Sequence, residues 1–177
     1  MMRKQYTISI FTENQIGLLN RVSIIFTRRH INIESITASE SEEDGIHRYT
    51  IVISEKEELV KKVVLQLEKQ VDIVKAFYHK NEQVVFQEIA LYKLPGDVFR
   101  NLHVEKIIRH HHARILAVEE EFIVLEKTGY KEETQELFEE LKSFGLLEFV
   151  RSGRVAISKP MTKFNAYLKE VERASIQ

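Results

Sequence analysis

Apolar and polar residues alternate along Tyr6-Thr7-Ile8-Ser9-Ile10-Phe11, the period of a β-strand. The period then changes: Leu18, Val22, Ile25 and Phe26 fall at i, i+4, i+7 and i+8, one face of a helix. This helix ends near Arg28-Arg29-His30, cations suited to a helix C-terminus, and Ile31 to Ala38 follows as a β-branched strand. After the polar turn Glu42-Glu43-Asp44-Gly45, residues Tyr49, Ile51 and Ile53 alternate as the returning strand of a hairpin. Leu59, Val60, Val63, Val64 and Leu67 form the stripe of a second helix, introduced by Ser54 and Glu57 at capping-box spacing. Val71 to Tyr78 supplies a fourth strand. The order β-α-β-β-α-β closes as one antiparallel sheet with both helices on one face.

The polar stretch His79-Lys80-Asn81-Glu82 divides the chain into residues 1–80 and 81–177. The order then repeats in kind. Val84 to Leu94 is a strand, Pro95-Gly96-Asp97 a break and Phe99 to His111 a helix. Arg114 to Val118 and Phe122 to Lys127 form a hairpin around Glu119-Glu120-Glu121. Lys131 to Ser143 is a helix with Leu137, Phe138 and Leu141 inward, and Leu147 to Val150 a strand. Arg151-Ser152-Gly153-Arg154 turns into a short strand, Val155 to Ser158. The predicted fold class is α+β, two ferredoxin-like units in tandem. Beyond Pro160, residues Phe164, Leu168 and Val171 suit an amphipathic tail helix that packs on either domain or on a partner.

Between the first strand and the first helix lies Glu13-Asn14-Gln15-Ile16-Gly17. Asn14 can cap the helix or hold the loop, and Gly17 can take a backbone conformation closed to other residues. A helix that starts just after such a loop leaves amide N–H groups unpaired at the positive end of its dipole, a seat for a small carboxylate. The same spacing also describes an ordinary capped helix start. Asn32, on the strand face opposite Ile31 and Ile33, has a similar double reading. It can bond local backbone, or its amide can offer a donor and an acceptor to a ligand.

Two stretches together resemble the small regulatory subunit of acetolactate synthase (acetohydroxyacid synthase). One is Glu13 to Val22 with Phe26, Arg29 and Asn32-Ile33-Glu34-Ser35-Ile36-Thr37; the other is Arg151-Ser152-Gly153. The resemblance spans roughly residues 4 to 158 and makes the N-terminal unit an ACT domain. It implies that Asn14, Gln15, Ile16, Gly17, Leu18, Asn32 and Ile33 hold an effector, a branched-chain amino acid and first of all valine, at an interface between two ACT domains. Ile16, Leu18 and Ile33 would line its aliphatic side chain; Leu18 and Asn20 stand where many members carry smaller residues. It further implies a homodimer formed through the ACT domain and a catalytic large subunit as partner, contacted by the C-terminal unit. Thiamine diphosphate, Mg2+ and FAD would then belong to that subunit, and this chain would have no cofactor of its own.

Composition narrows the classes. The chain has 177 residues, 44% of them hydrophobic and 30% charged, as in ordinary globular proteins. With 26 basic and 27 acidic residues its formal net charge is -1, no footprint for nucleic acid. Cysteine is absent, which excludes disulfides, thiolate metal sites and cysteine nucleophiles. No apolar run approaches the roughly 20 residues of a membrane span, and no apolar signal core precedes the first strand, so a cytoplasmic protein is expected. No nucleophile elbow, phosphate loop or Rossmann pattern occurs. His110-His111-His112 invites a metal, but consecutive helical residues point about 100° apart, so a solvated helix terminus is expected instead. The hairpin carboxylates are expected to be solvated too. Two rival readings are an ACT-type amino-acid sensor controlling transcription, disfavoured by the lack of a basic patch, and a metal sensor built on the second unit.

Overall fold

The computed structural model describes residues 3–159. Strand β1 (Lys4–Glu13), helix α1 (Leu18–Thr27), strands β2 (Ile33–Glu40) and β3 (Ile46–Glu55), helix α2 (Glu57–Leu67) and strand β4 (Ile73–Lys80) make the first unit. Its four strands pair antiparallel in the order β2-β3-β1-β4. A short 3-10 helix, Asn81–Gln83, leads into β5 (Val84–Pro95). Then follow α3 (Leu102–His110), β6 (Arg114–Val118), β7 (Phe122–Gly129), α4 (Lys131–Lys142), β8 (Glu148–Arg151) and β9 (Val155–Ser158). The second sheet runs β6-β7-β5-β8, and β9 pairs with the opening of β5. Both units are ferredoxin-like, as the hydrophobic pattern predicts. Among the described residues no helix is long and apolar enough to cross a membrane. The expected tail helix over Phe164, Leu168 and Val171 lies outside the described residues.

Each unit has its own core. Tyr6, Ile8, Ile10, Val22, Phe26, Ile51, Ile53, Val63 and Leu67 pack between the first sheet and its helices. Tyr92, Leu94, Val104, Ile123, Leu125, Leu137 and Leu141 do so in the second. Full burial of one such aliphatic side chain contributes roughly 1.5–3 kcal/mol, enough to set the register of every strand. Tyr92 is wholly buried, and its hydroxyl donates to the Thr134 carbonyl at 2.7 Å. Burial pushes its phenol up to about 12. Tyr92→Phe should lower stability by about 0.5–1.5 kcal/mol, seen as a lower urea midpoint with an unchanged slope. A midpoint equal to the parent's would mean that this hydroxyl adds nothing.

Several local expectations are corrected. Ser54 does not cap α2: β3 continues to Glu55, Lys56 takes the cap position, and no side-chain cap bond forms. Val71 is fully exposed and β4 begins at Ile73. The second break is longer than expected, because a 3-10 helix, Gly96–Arg100, precedes α3, which Asn101 caps by accepting from the His103 N–H at 2.9 Å. His111 is not solvated either. It is 7% exposed, with Nε2 3.1 Å from Glu140 Oε1, whereas His110 and His112 are exposed. His112 takes the left-handed conformation, φ 52°, that ends the helix.

The outer face of the first sheet is also covered. Thr7, Ser9, Thr50 and Val52 alternate with the core residues and yet are 0–5% exposed. The β5–β9 ribbon lies over them. Arg48 Nη2 donates to Ser9 Oγ at 3.2 Å and to the Ala156 carbonyl at 2.7 Å, and Thr37 Oγ1 donates to the Arg154 carbonyl at 3.1 Å.

Candidate effector site

Glu13 closes β1, and the chain leaves the sheet through a compact loop. Asn14 does not cap α1; its N–H donates to the Gly45 carbonyl at 3.1 Å and ties the loop to the β2–β3 turn. The Gln15 N–H donates to the Glu13 carbonyl, and Gln15 Nε2 donates to Glu13 Oε2 at 2.7 Å. Gly17 then takes φ 81°, ψ 0°, in the left-handed region, and occupies the cap position itself. Its carbonyl accepts from the Arg21 N–H at 3.1 Å. The first turn of α1 carries no side-chain cap and no acidic residue. Among the described residues, the N–H groups of Leu19 and Asn20 have no acceptor. The loop is therefore an uncapped helix start with donors aimed outward, and Ile16 beside it is fully exposed.

The other expected residues divide. Leu18 is 1% exposed and belongs to the core, so its side chain does not line a surface site; only its backbone borders the loop. Asn32 is exposed in the link between α1 and β2, and its side chain has no hydrogen-bond partner among the described residues. Ile33 is half-buried and packs against the core.

The two halves of the site lie at opposite ends of the sheet. Ile33 pairs with Ile53, which pairs with Tyr6 near the start of β1. The Gly17 loop follows Glu13, at the far end of the same strand. At about 3.3 Å per residue, that separation is on the order of 20 Å. One protomer cannot bring the loop amides and Asn32 to one amino acid.

A further set of polar contacts, not expected from the sequence, runs from Glu34 into the second unit. The register of β2 against β3 slips between Ile33 and Ser35, which makes Glu34 a bulge residue. Gln5 Nε2 donates to Glu34 Oε2 at 2.8 Å. Burial raises the Glu34 carboxyl, but hydrogen bonds from Ser54 and Gln5 outweigh it and hold the group below its ordinary value. Gln5 Oε1 accepts in turn from Arg154 Nη2 at 2.8 Å and from Asn81 Nδ2 at 3.2 Å. Arg154 is 3% exposed; its Nη1 donates to Thr7 Oγ1 at 2.8 Å and Asn81 Oδ1 at 2.9 Å, and its guanidinium sits 3.6 Å from the Phe86 ring centroid. The residues of this set belong to stretches remote in sequence, Gln5 to Thr7, Glu34, Asn81 and Arg154. Nothing local joins them. Elsewhere, no group of three or more His, Cys, Asp or Glu among the described residues could hold a metal ion.

Comparison with known proteins covers both units. A family profile described as an AHAS small subunit-like ACT domain matches residues 8–75, and one described as the small subunit of acetolactate synthase matches residues 87–160. The acetolactate synthase small subunit of Bacillus subtilis (strain 168) is 35% identical over 153 residues, covering 86% of this chain and 89% of that protein. That of Mycobacterium bovis is 31% identical over 159 residues, covering 90% and 95%. The crystal structure of the acetolactate synthase small subunit from Thermotoga maritima is similar with a TM-score of 0.81 at 26% identity, over 88% of this chain and 98% of that one.

Proposed function

Because this chain belongs to the acetolactate synthase small-subunit family, we propose that it is the regulatory subunit of that enzyme in branched-chain amino acid biosynthesis. It joins a catalytic large subunit, raises its activity, and lowers it when a branched-chain amino acid, valine first, is bound. The condensation of pyruvate with pyruvate or 2-oxobutyrate takes place in the large subunit, with thiamine diphosphate, Mg2+ and FAD. This chain contributes no reacting group.

The observation that carries the effector reading is the open helix start after Gly17, where the N–H groups of Leu19 and Asn20 are unpaired among the described residues and the turn holds no competing acid. A carboxylate fits those donors, and the exposed Ile16 beside them suits an aliphatic side chain. Asn32 completes the site only from a second copy. β2 is an edge strand, and a two-fold beside it sets the start of one β2 against the end of the other. Each of two equivalent sites then takes loop amides from one protomer and Asn32 from its partner. The test is reconstitution with the large subunit of the same organism, following acetolactate formation against valine, leucine and isoleucine. Activation by the chain and loss of activity with valine are expected. Failure to associate with the large subunit would overturn the proposal.

A further inference from the structure

We propose that Gln5 is a positioning residue for regulation, relaying the state of the Asn32–Glu34 segment through Arg154 to the second unit. The inference rests on the reading that the effector engages Asn32.

The geometry points to a relay because Gln5 is held from both sides. Its amide nitrogen donates to Glu34 on β2, and its oxygen accepts from Arg154, which is anchored beside β9. Turning the amide over would set its oxygen against the Glu34 carboxylate and its NH2 against the guanidinium, so it has one acceptable orientation. Glu34 sits at the bulge of β2, two residues after Asn32. A bulge leaves its residue outside the ladder, so that end of the edge strand can shift without breaking the pairs that follow. On the other side, Arg154 is stacked on Phe86 and bonded to Thr7 and Asn81, so a change at Gln5 reaches β1, the linker and β5 together. A ligand that draws Asn32 toward a partner protomer pulls on Glu34, and Gln5 passes the displacement to the arginine that seats the second unit.

Two variants of the full chain test the idea in the reconstituted holoenzyme. Gln5→Met keeps the length of the side chain and removes both its donor and its acceptor. Glu34→Met breaks the far end of the relay and leaves the contacts of Arg154 with Gln5, Thr7 and Asn81 in place. For each, valine affinity is measured by calorimetry with and without the large subunit, alongside activity. An allosteric coupling typically corresponds to a ratio of about 5–150 between two such affinities, and linkage requires the same ratio in both directions. Both variants should bind valine as the isolated parent does, within about twofold, and still activate the large subunit, while the ratio falls to about 2 or less. Full inhibition in either variant overturns the relay. Loss of valine binding by the isolated variants also overturns it, since Gln5 and Glu34 would then belong to the site or to its folding. If the parent itself binds none of the three amino acids, the functional reading has failed, and the parent arm alone reports that.

Discussion

Replacing Gly17 by aspartate should give a reconstituted synthase that is active and nearly indifferent to valine. The backbone at Gly17 has φ 81°, and a Cβ there would meet no atom of the described residues within 4 Å. The cost to folding is therefore conformational, about 1 kcal/mol for a side chain in the left-handed region, and the fold should survive it. The cost to binding is electrostatic. The new carboxylate stands at the helix start where the effector's carboxylate is proposed to sit. Losing one charge-assisted hydrogen bond costs about 1.5–3 kcal/mol, and like-charge repulsion adds to it. Allosteric coupling is itself typically about 1–3 kcal/mol, so the inhibition should nearly vanish at ordinary effector concentrations. Asn32→Ala should give a milder form of the same defect. Gel filtration should find the Gly17→Asp chain still bound to the large subunit, because the loop is not proposed to touch it. A correctly folded Gly17→Asp complex with the parent's valine sensitivity would mean that the effector sits elsewhere.

The second large effect is expected at Gly153, in the turn between β8 and β9. A Cβ at this position would lie 2.5 Å from Thr37 Oγ1 and 2.8 Å from the Ile36 carbonyl oxygen. The carbonyl belongs to β2 and cannot swing aside, so Gly153→Ala forces the ribbon away from the first sheet. Overpacking of this kind costs about 1–3 kcal/mol when only side chains shift. Here it also strains the hydrogen bond from Thr37 to the Arg154 carbonyl and the buried contacts of the guanidinium, and breaking a buried charged network costs about 3–5 kcal/mol. The sum is a large part of the roughly 5–15 kcal/mol that stabilises a typical domain. The variant should unfold in two calorimetric steps and be cut by trypsin after Arg154 under native conditions. A single transition within about 2 °C of the parent's would show that the contact yields at little cost.

The fold was largely legible because each core is amphipathic at the right period. Leu18, Val22, Ile25 and Phe26 face the sheet as their spacing requires, and Val60, Val63, Val64 and Leu67 do the same in α2. The Gly17 loop was legible for a similar reason: a strand period gives way to a helix period across a glycine. The outer face of the first sheet was harder to read. Alternation at Thr7, Ser9 and Thr50 is what a half-solvated sheet would show, and only the choice of small hydroxyls over charged residues hinted that something lies against them. The burial of His111 is not legible because three adjacent histidines look alike in sequence, while the turn of the helix points just one toward Glu140. The Glu34–Gln5–Arg154 contacts join residues from three parts of the chain, and no periodicity reports such a meeting.

The cover over the first sheet has a consequence for how the protein is made. All the strands and helices of the first unit have left the ribosome once Lys80 is clear, but the ribbon that closes its outer face ends at Ser158. At about 5–20 residues per second, the unit waits several seconds with that face open to water. Thr7, Ser9 and Thr50 can bond water during the wait, whereas leucine or valine at those positions would enlarge the apolar patch that Val52 makes and offer it to every other nascent chain. These hydroxyls, with Thr7 bonded in the finished fold by Arg154 of the arriving segment, thus keep a half-made subunit soluble until the ribbon covers them.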